Sequence, residues 1–323
     1  MSKLSNIYTL NTLLTTALQD LKEKRDMIAT TGRPCAAPTF GGDLPMMTET
    51  FGGLQPGIWT LGGAPGTGKT FFALVLGHAY LADDDTCVLI VDVAETRPTN
   101  YLALRLACIH SHQDPYRYER AKATPEEFAA IAALLKFKAD TLFDVLVPGP
   151  ALTVGHISAA VKDLQARTGM AHCMVVIDYI QKLAMTTAVG GNASDLRLKV
   201  SAAVAELTGL VDIAQGPVIL ISSVGKEAYR NGSAGANLAD FKETGDVEFS
   251  TDVGLMLRLA KDTRNDDMHS NVRALECSVL KNRFGETGKF PMYLIRDESR
   301  YVEQDPGSGT GTGRDAEIIR LAR

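Results

Sequence analysis

The 323 residues include five cysteines, Cys35, Cys87, Cys108, Cys173 and Cys277, odd in number, scattered and never in a Cys-x-x-Cys pair. That usage excludes a disulfide framework and a zinc ribbon, and it fits a reducing compartment. Long apolar runs are missing as well. No stretch of about 18 apolar residues is present to cross a bilayer. The N-terminus places Lys3 ahead of alternating polar and apolar residues, where a secretory leader would hold an uninterrupted apolar core. A cytoplasmic protein without a membrane partner is expected. Nor is there an excess of positive charge, since 33 Lys and Arg against 38 Asp and Glu give a formal net charge of −5. A protein that coats nucleic acid with its whole surface is therefore excluded, and any contact with DNA or RNA must come from a local patch. Internal repeats are absent too.

What is present is a chain long enough to bury one large α/β core. Residues 1–30 carry Leu10, Leu13, Leu14, Ala17, Leu18 and Leu21 at 3–4 spacing, one apolar stripe on a helix, followed by the charged run Lys22–Asp26. Such a stripe needs a partner, either the helix's own domain or a neighbouring subunit. Residues 31–56, rich in Gly, Pro and Thr, predict a linker and an irregular entry. From Gly57 onward, strand-like runs alternate with helix-like ones, which predicts a mostly parallel sheet covered on both faces and extending to residue 303. Thr124-Pro125-Glu126-Glu127 reads as a capping box with proline at the first helical position. A helix from about Asp195 to Ala214 feeds the buried strand Pro217–Ser222, and two strands joined by Lys281–Gly288 predict a hairpin. The Gly-rich segment 304–323 predicts a flexible tail.

One local pattern carries chemistry. Gly63-Ala64-Pro65-Gly66-Thr67-Gly68-Lys69-Thr70 fits G-x-x-x-x-G-K-[ST] between a predicted strand and a predicted helix, the setting in which backbone N–H groups cradle phosphates. Lys69 would reach the β- and γ-phosphates, and the Thr70 hydroxyl would ligate Mg²⁺. Asp178 closes the β-branched run Met174–Asp178, at the carboxyl end of a predicted central strand, where it can hold the metal. Hydrolysis also needs a group to orient water. Glu95, just past the strand Cys87–Val93, is preferred over Asp92 within it, on the expectation that this strand lies beside the phosphate-loop strand.

Taken in order, the segments FGGLQPG, APGTGKTFFAL, VLIVDVAETRPTNYLALRLA, MVVIDYIQKL, LADFKETGDVEFSTDVGLMLR and LKNRFGETG resemble the C-terminal ATPase domain of DnaB-family replicative helicases, a RecA-like P-loop fold, over residues 45–303. The resemblance implies an ATP- and Mg²⁺-dependent ring, of six members in this family, that translocates on single-stranded DNA and works with a loader or primase. It implies that the N-terminal helix docks on the adjacent subunit. It also implies a motor without the family's N-terminal collar, of the kind a phage, plasmid or other mobile element encodes. By motif position, Glu95 resembles the catalytic glutamate, and Lys281 and Arg283 the basic pair that reaches a neighbour's γ-phosphate. Lys242, Glu243 and Gly245 match the DNA-contacting loop, with Lys226, Arg230 and Arg197 as further candidates for the strand. Gln181 and Ser223 fall at sensor positions, and Ser223 departs from the family's Gln or His. That departure motivates an alternative, a nucleotide-switch ATPase similar in broad fold to KaiC, acting as a regulator or loader without unwinding.

Overall fold

A computed structural model describes residues 10–93, 100–132, 143–146, 152–186, 196–223, 250–267 and 269–307. Its centre is a sheet of strands β1 (Gly57–Gly63), β2 (Thr86–Asp92), β3 (Phe143–Leu146), β4 (His172–Asp178), β5 (Pro217–Ser223), β6 (Val253–Leu259), β7 (Val272–Asn282), β8 (Gly288–Ile295) and β9 (Arg300–Val302). They lie side by side in the order β3-β2-β4-β5-β1-β6-β7-β8-β9. The strands from β3 to β6 are parallel, and β7 to β9 continue the sheet antiparallel. β1 is buried along its whole length, and β2, β4 and β5 are buried at all but their ends. Their near-continuous Val, Ile and Leu runs are what a strand covered on both faces requires.

The described α-helices are α1 (Leu10–Thr31), α2 (Pro45–Phe51), α3 (Lys69–Tyr80), α4 (Asn100–Ser111), α5 (Pro115–Glu119), α6 (Pro125–Ala132), α7 (Val154–Thr168), α8 (Ile180–Thr186) and α9 (Leu196–Ala214). The capping box ahead of α6 forms as the sequence predicts: Glu127 N donates to Thr124 Oγ1, and Thr124 N donates to Glu127 Oε2 at 2.6 Å. The Lys281–Gly288 hairpin also forms, between β7 and β8.

Two expectations differ from what is observed. The strand ahead of Glu95, β2, is not beside the phosphate-loop strand: β4 and β5 stand between β2 and β1. The crossovers through α7 and α9 insert those later strands into the middle of the sheet. The segment expected as an irregular entry contains α2 and buries Phe40, Leu44, Met47, Phe51 and Leu54 in the common core. Glu303, just after β9, ties this segment down by accepting from Met46 N at 2.6 Å and Met47 N at 2.8 Å. By contrast α1 keeps Leu10, Leu14, Leu18 and Leu21 exposed, at 52% or more. No helix among the described residues is long and apolar enough to cross a membrane.

Candidate active site

Parallel strands bring their carboxyl ends to one edge of the sheet, and the register shows what collects there. Asp92 stands opposite Asp178, and Gly63 opposite Ser223. From Gly63 the chain turns into α3, whose N-terminus offers backbone N–H groups and positive potential to an anion. Gly66 (φ 79°) and Gly68 (φ 92°) occupy the left-handed region that glycine tolerates. At Gly68 the requirement is also steric, because a Cβ there would sit 2.5 Å from the Tyr301 hydroxyl.

The two residues expected to hold a metal are brought together. Thr70 Oγ1 donates to Asp178 Oδ2 at 2.6 Å, across 108 residues of sequence. Lys69 Nζ donates to the carbonyls of Gly63 at 2.8 Å and Ala64 at 3.0 Å, so its ammonium lies inside the loop. Burial lowers the Lys69 pKa, and the nearby Asp178 carboxylate opposes that shift. Burial raises the Asp178 pKa and Asp92 adds to the rise, while the Thr70 hydrogen bond and Lys69 pull it back. Two carboxylates and an ammonium in a partly dry space are poised for a ligand that brings both cation and anion.

Beside the loop opens a cavity of about 810 Å³, lined among others by Gly68, Lys69, Thr70, Asp92, Asp178 and Arg296. Several residues around the loop and the cavity escape the sequence reading. Arg273 on β7 donates from Nη1 to Gly66 O at 2.8 Å. The Tyr301 hydroxyl, on β9, donates to Gly68 O at 3.4 Å while its buried ring packs on Phe71 and Phe72. Arg105 lies 4.3 Å from the Tyr101 ring centroid and also faces Phe71 and Tyr116. Arginines over aromatic rings at a cavity wall form a surface suited to a flat, anionic ligand.

Gln181 is buried at the end of β5, donating to Ser222 Oγ at 2.8 Å and accepting from Ser223 N at 3.4 Å. The two sensor candidates are therefore linked through the Ser223 backbone. Lys281 and Arg283 stand at the opposite end of the sheet, where Val253 pairs with Asn282 and Gly254 with Lys281. Arg283 Nη1 donates to Asp252 Oδ1 at 2.7 Å. Glu95, Lys226, Arg230, Lys242, Glu243 and Gly245 lie outside the described residues, and Arg197 is described only as part of the α9 backbone.

Comparison with known proteins gives one consistent family. Residues 42–303 match the profile of the DnaB-like helicase C terminal domain. The replicative DNA helicase DnaB of Geobacillus stearothermophilus is 22% identical over 271 residues, covering 84% of this chain and 57% of that protein. The replicative DNA helicase DnaC of Bacillus subtilis is 22% identical over 265 residues, covering 82% and 56%. The chain thus spans a little over half the length of these relatives. Among solved structures, an isolated ATPase domain superposes with a TM-score of 0.75 at 16% identity, covering 93% of this chain and 100% of that one. A DnaB-like replicative helicase, solved for its interactions with primase, gives 0.73 at 16% identity, covering 93% and 68%. With the profile covering most of its length and the fold agreeing, the chain belongs to the DnaB-like helicase C terminal domain family.

Proposed function

We propose that this chain is the motor of a ring-forming helicase, which hydrolyses ATP with Mg²⁺ to move along single-stranded DNA and part the duplex. The observation that carries this reading is the separation of the phosphate loop from its candidate arginine. Lys69 and Thr70 follow the carboxyl end of β1, whereas Arg283 stands beside Ile58 at its start, bridged by Asp252. At about 3.3 Å per residue, β1 sets the two ends roughly 20 Å apart. One arginine cannot span that distance, which supports a role for Arg283 at a second copy's nucleotide and turnover that requires assembly.

Within the site, the phosphate loop binds the β- and γ-phosphates with backbone N–H groups and with Lys69, which exchanges its carbonyl partners for phosphate oxygens. The Thr70 and Asp178 oxygens offer the hard ligands that Mg²⁺ accepts alongside phosphate and water. Bound Mg²⁺ would neutralise charge on those phosphates. Glu95 orients the attacking water. Lys281 and Arg283 reach the neighbour's γ-phosphate, and Gln181 and Ser223 pass the nucleotide state to the loops around Lys242. Those loops, with Glu243, Gly245 and contributions from Lys226, Arg230 and Arg197, line a channel for the strand. A ring presents one copy per subunit, so an acidic chain still gives a positive pore. The exposed leucines of α1 support the docking of that helix on the adjacent subunit.

The test is unwinding of a forked duplex with ATP and Mg²⁺, alongside the size of the assembly in solution. The full chain is expected to unwind as a ring. Deletion of residues 1–30 is expected to leave a folded, nucleotide-binding protomer that neither assembles nor unwinds. A stable ring from that truncation would remove α1 from the interface. A ring that hydrolyses ATP without unwinding would favour the nucleotide switch, in which the shorter Ser223 side chain has broken the coupling.

A further inference from the structure

Asp252, just ahead of β6, is gripped from two sides. Its Oδ2 accepts from the Ile58 backbone N–H at 2.8 Å and its Oδ1 from Arg283 Nη1 at 2.7 Å. Backbone bonds reinforce the arrangement: Asp252 N donates to Ile58 O at 2.7 Å, and Arg283 N donates to Asp252 O at 3.0 Å. The carboxylate is therefore fixed to the start of the buried central strand. The hairpin tip that carries Arg283 is fixed as well. Phe284 stacks on Trp59 with centroids 6.2 Å apart and planes at 24°, and its N–H donates to Asn282 Oδ1 at 2.9 Å. Gly285 lies so close to α2 that a Cβ would come within 2.6 Å of Thr50 O.

With the tip anchored, the freedom left to Arg283 is in its side-chain torsions. The guanidinium is outward, 57% exposed, while Asp252 is only 19% exposed. An ion pair this open to water contributes little to folding stability. Its consequence is orientation, because an arginine already held in one geometry loses less entropy when it meets a phosphate.

We propose that Asp252 is the positioning residue of the trans-acting arginine. It touches no nucleotide itself and acts by holding Arg283 on the sheet edge in the orientation the neighbouring site receives. This rests on the reading of Arg283 as the residue that completes a neighbour's site.

The experiment is a double-mutant cycle in the full chain, reading kcat and KM for ATP with Mg²⁺ and single-stranded DNA, together with ATP binding and thermal unfolding. Asp252→Asn is expected to lower kcat about 10- to 100-fold with KM and ATP binding unchanged. In an Arg283→Ala background the same change is expected to lower kcat no further. If Asp252→Asn fails to fold, Asp252→Ser replaces it, because a serine hydroxyl can still accept from Ile58 N–H yet is too short to hold Arg283. Losses that add in the double variant, or wild-type kcat in a folded Asp252 variant when Arg283→Ala is dead, overturn the proposal. Wild-type turnover in Arg283→Ala overturns the trans reading itself, and this inference with it.

Discussion

Arg283→Ala is expected to lower ATP turnover about a thousandfold or more while leaving ATP affinity unchanged. The residue lies at the far end of β1 from Lys69, so it contributes nothing to the binding of its own chain's nucleotide. In the proposed role it supplies charge that meets the transferring phosphoryl group, an interaction made in the transition state, and its removal is then expected to lower kcat and kcat/KM together. The protein should keep its fold, because the lost ion pair with Asp252 is half open to solvent. Mixing this variant with Lys69→Ala protein makes the prediction specific. In a mixed ring some interfaces combine an intact Lys69 from one subunit with an intact Arg283 from the next, and turnover should partly return although each variant alone is dead. Absence of rescue in rings shown to be mixed would contradict completion in trans.

Asp178→Asn is expected to separate activity from stability. Turnover should fall about a hundredfold or more, since on the proposed function Asp178 helps hold the Mg²⁺ that would stabilise charge on the phosphates. The fold, in contrast, should become more resistant to heat at neutral pH when nucleotide is absent. Burial raises the Asp178 pKa, so the folded protein favours the protonated acid more than the unfolded chain does. The resulting cost to stability is absent below the unfolded pKa, grows as pH rises, and is complete above the raised folded pKa. Asparagine carries no such cost, and its oxygen can still accept from Thr70. Melting curves of both proteins should therefore converge as pH falls into the range where Asp178 protonates. Equal melting temperatures at neutral pH would show that Lys69 and Thr70 offset the burial fully.

The parts of this site that were legible in sequence are those whose chemistry is contiguous. The candidate phosphate loop is one unbroken segment in which the tasks proposed for glycines, lysine and threonine are each tied to a position, and Asp178 is marked by the β-branched run that precedes it. Strand adjacency is a different kind of fact. Nothing local to Cys87–Val93 shows that β4 and β5 will enter between it and β1, so its place in the sheet was misjudged while its direction was right. Arg273 and Tyr301 were missed for a related reason. Their partners in the phosphate loop lie 207 and 233 residues away, and only the antiparallel return of β7 to β9 brings them together. Helix α2 was hidden by its surroundings, since seven residues opening on Pro45 and followed by Gly52 read as punctuation. Its aromatic neighbours Phe40 and Phe51 nevertheless pack against Trp59 at 5.8 and 5.2 Å, which makes the segment part of the platform for Phe284 and Arg283.

In the proposed motor, that platform, the phosphate loop and the loops assigned to the strand act together only if hydrolysis is coupled to DNA. The direct test is steady-state ATP hydrolysis with Mg²⁺, with and without a long unstructured single strand, with Glu95→Gln as the blank. Strong stimulation by the strand that disappears in Lys242→Ala, while the basal rate persists, is the predicted result. Turnover indifferent to DNA in an assembled, Glu95-dependent enzyme would contradict the motor.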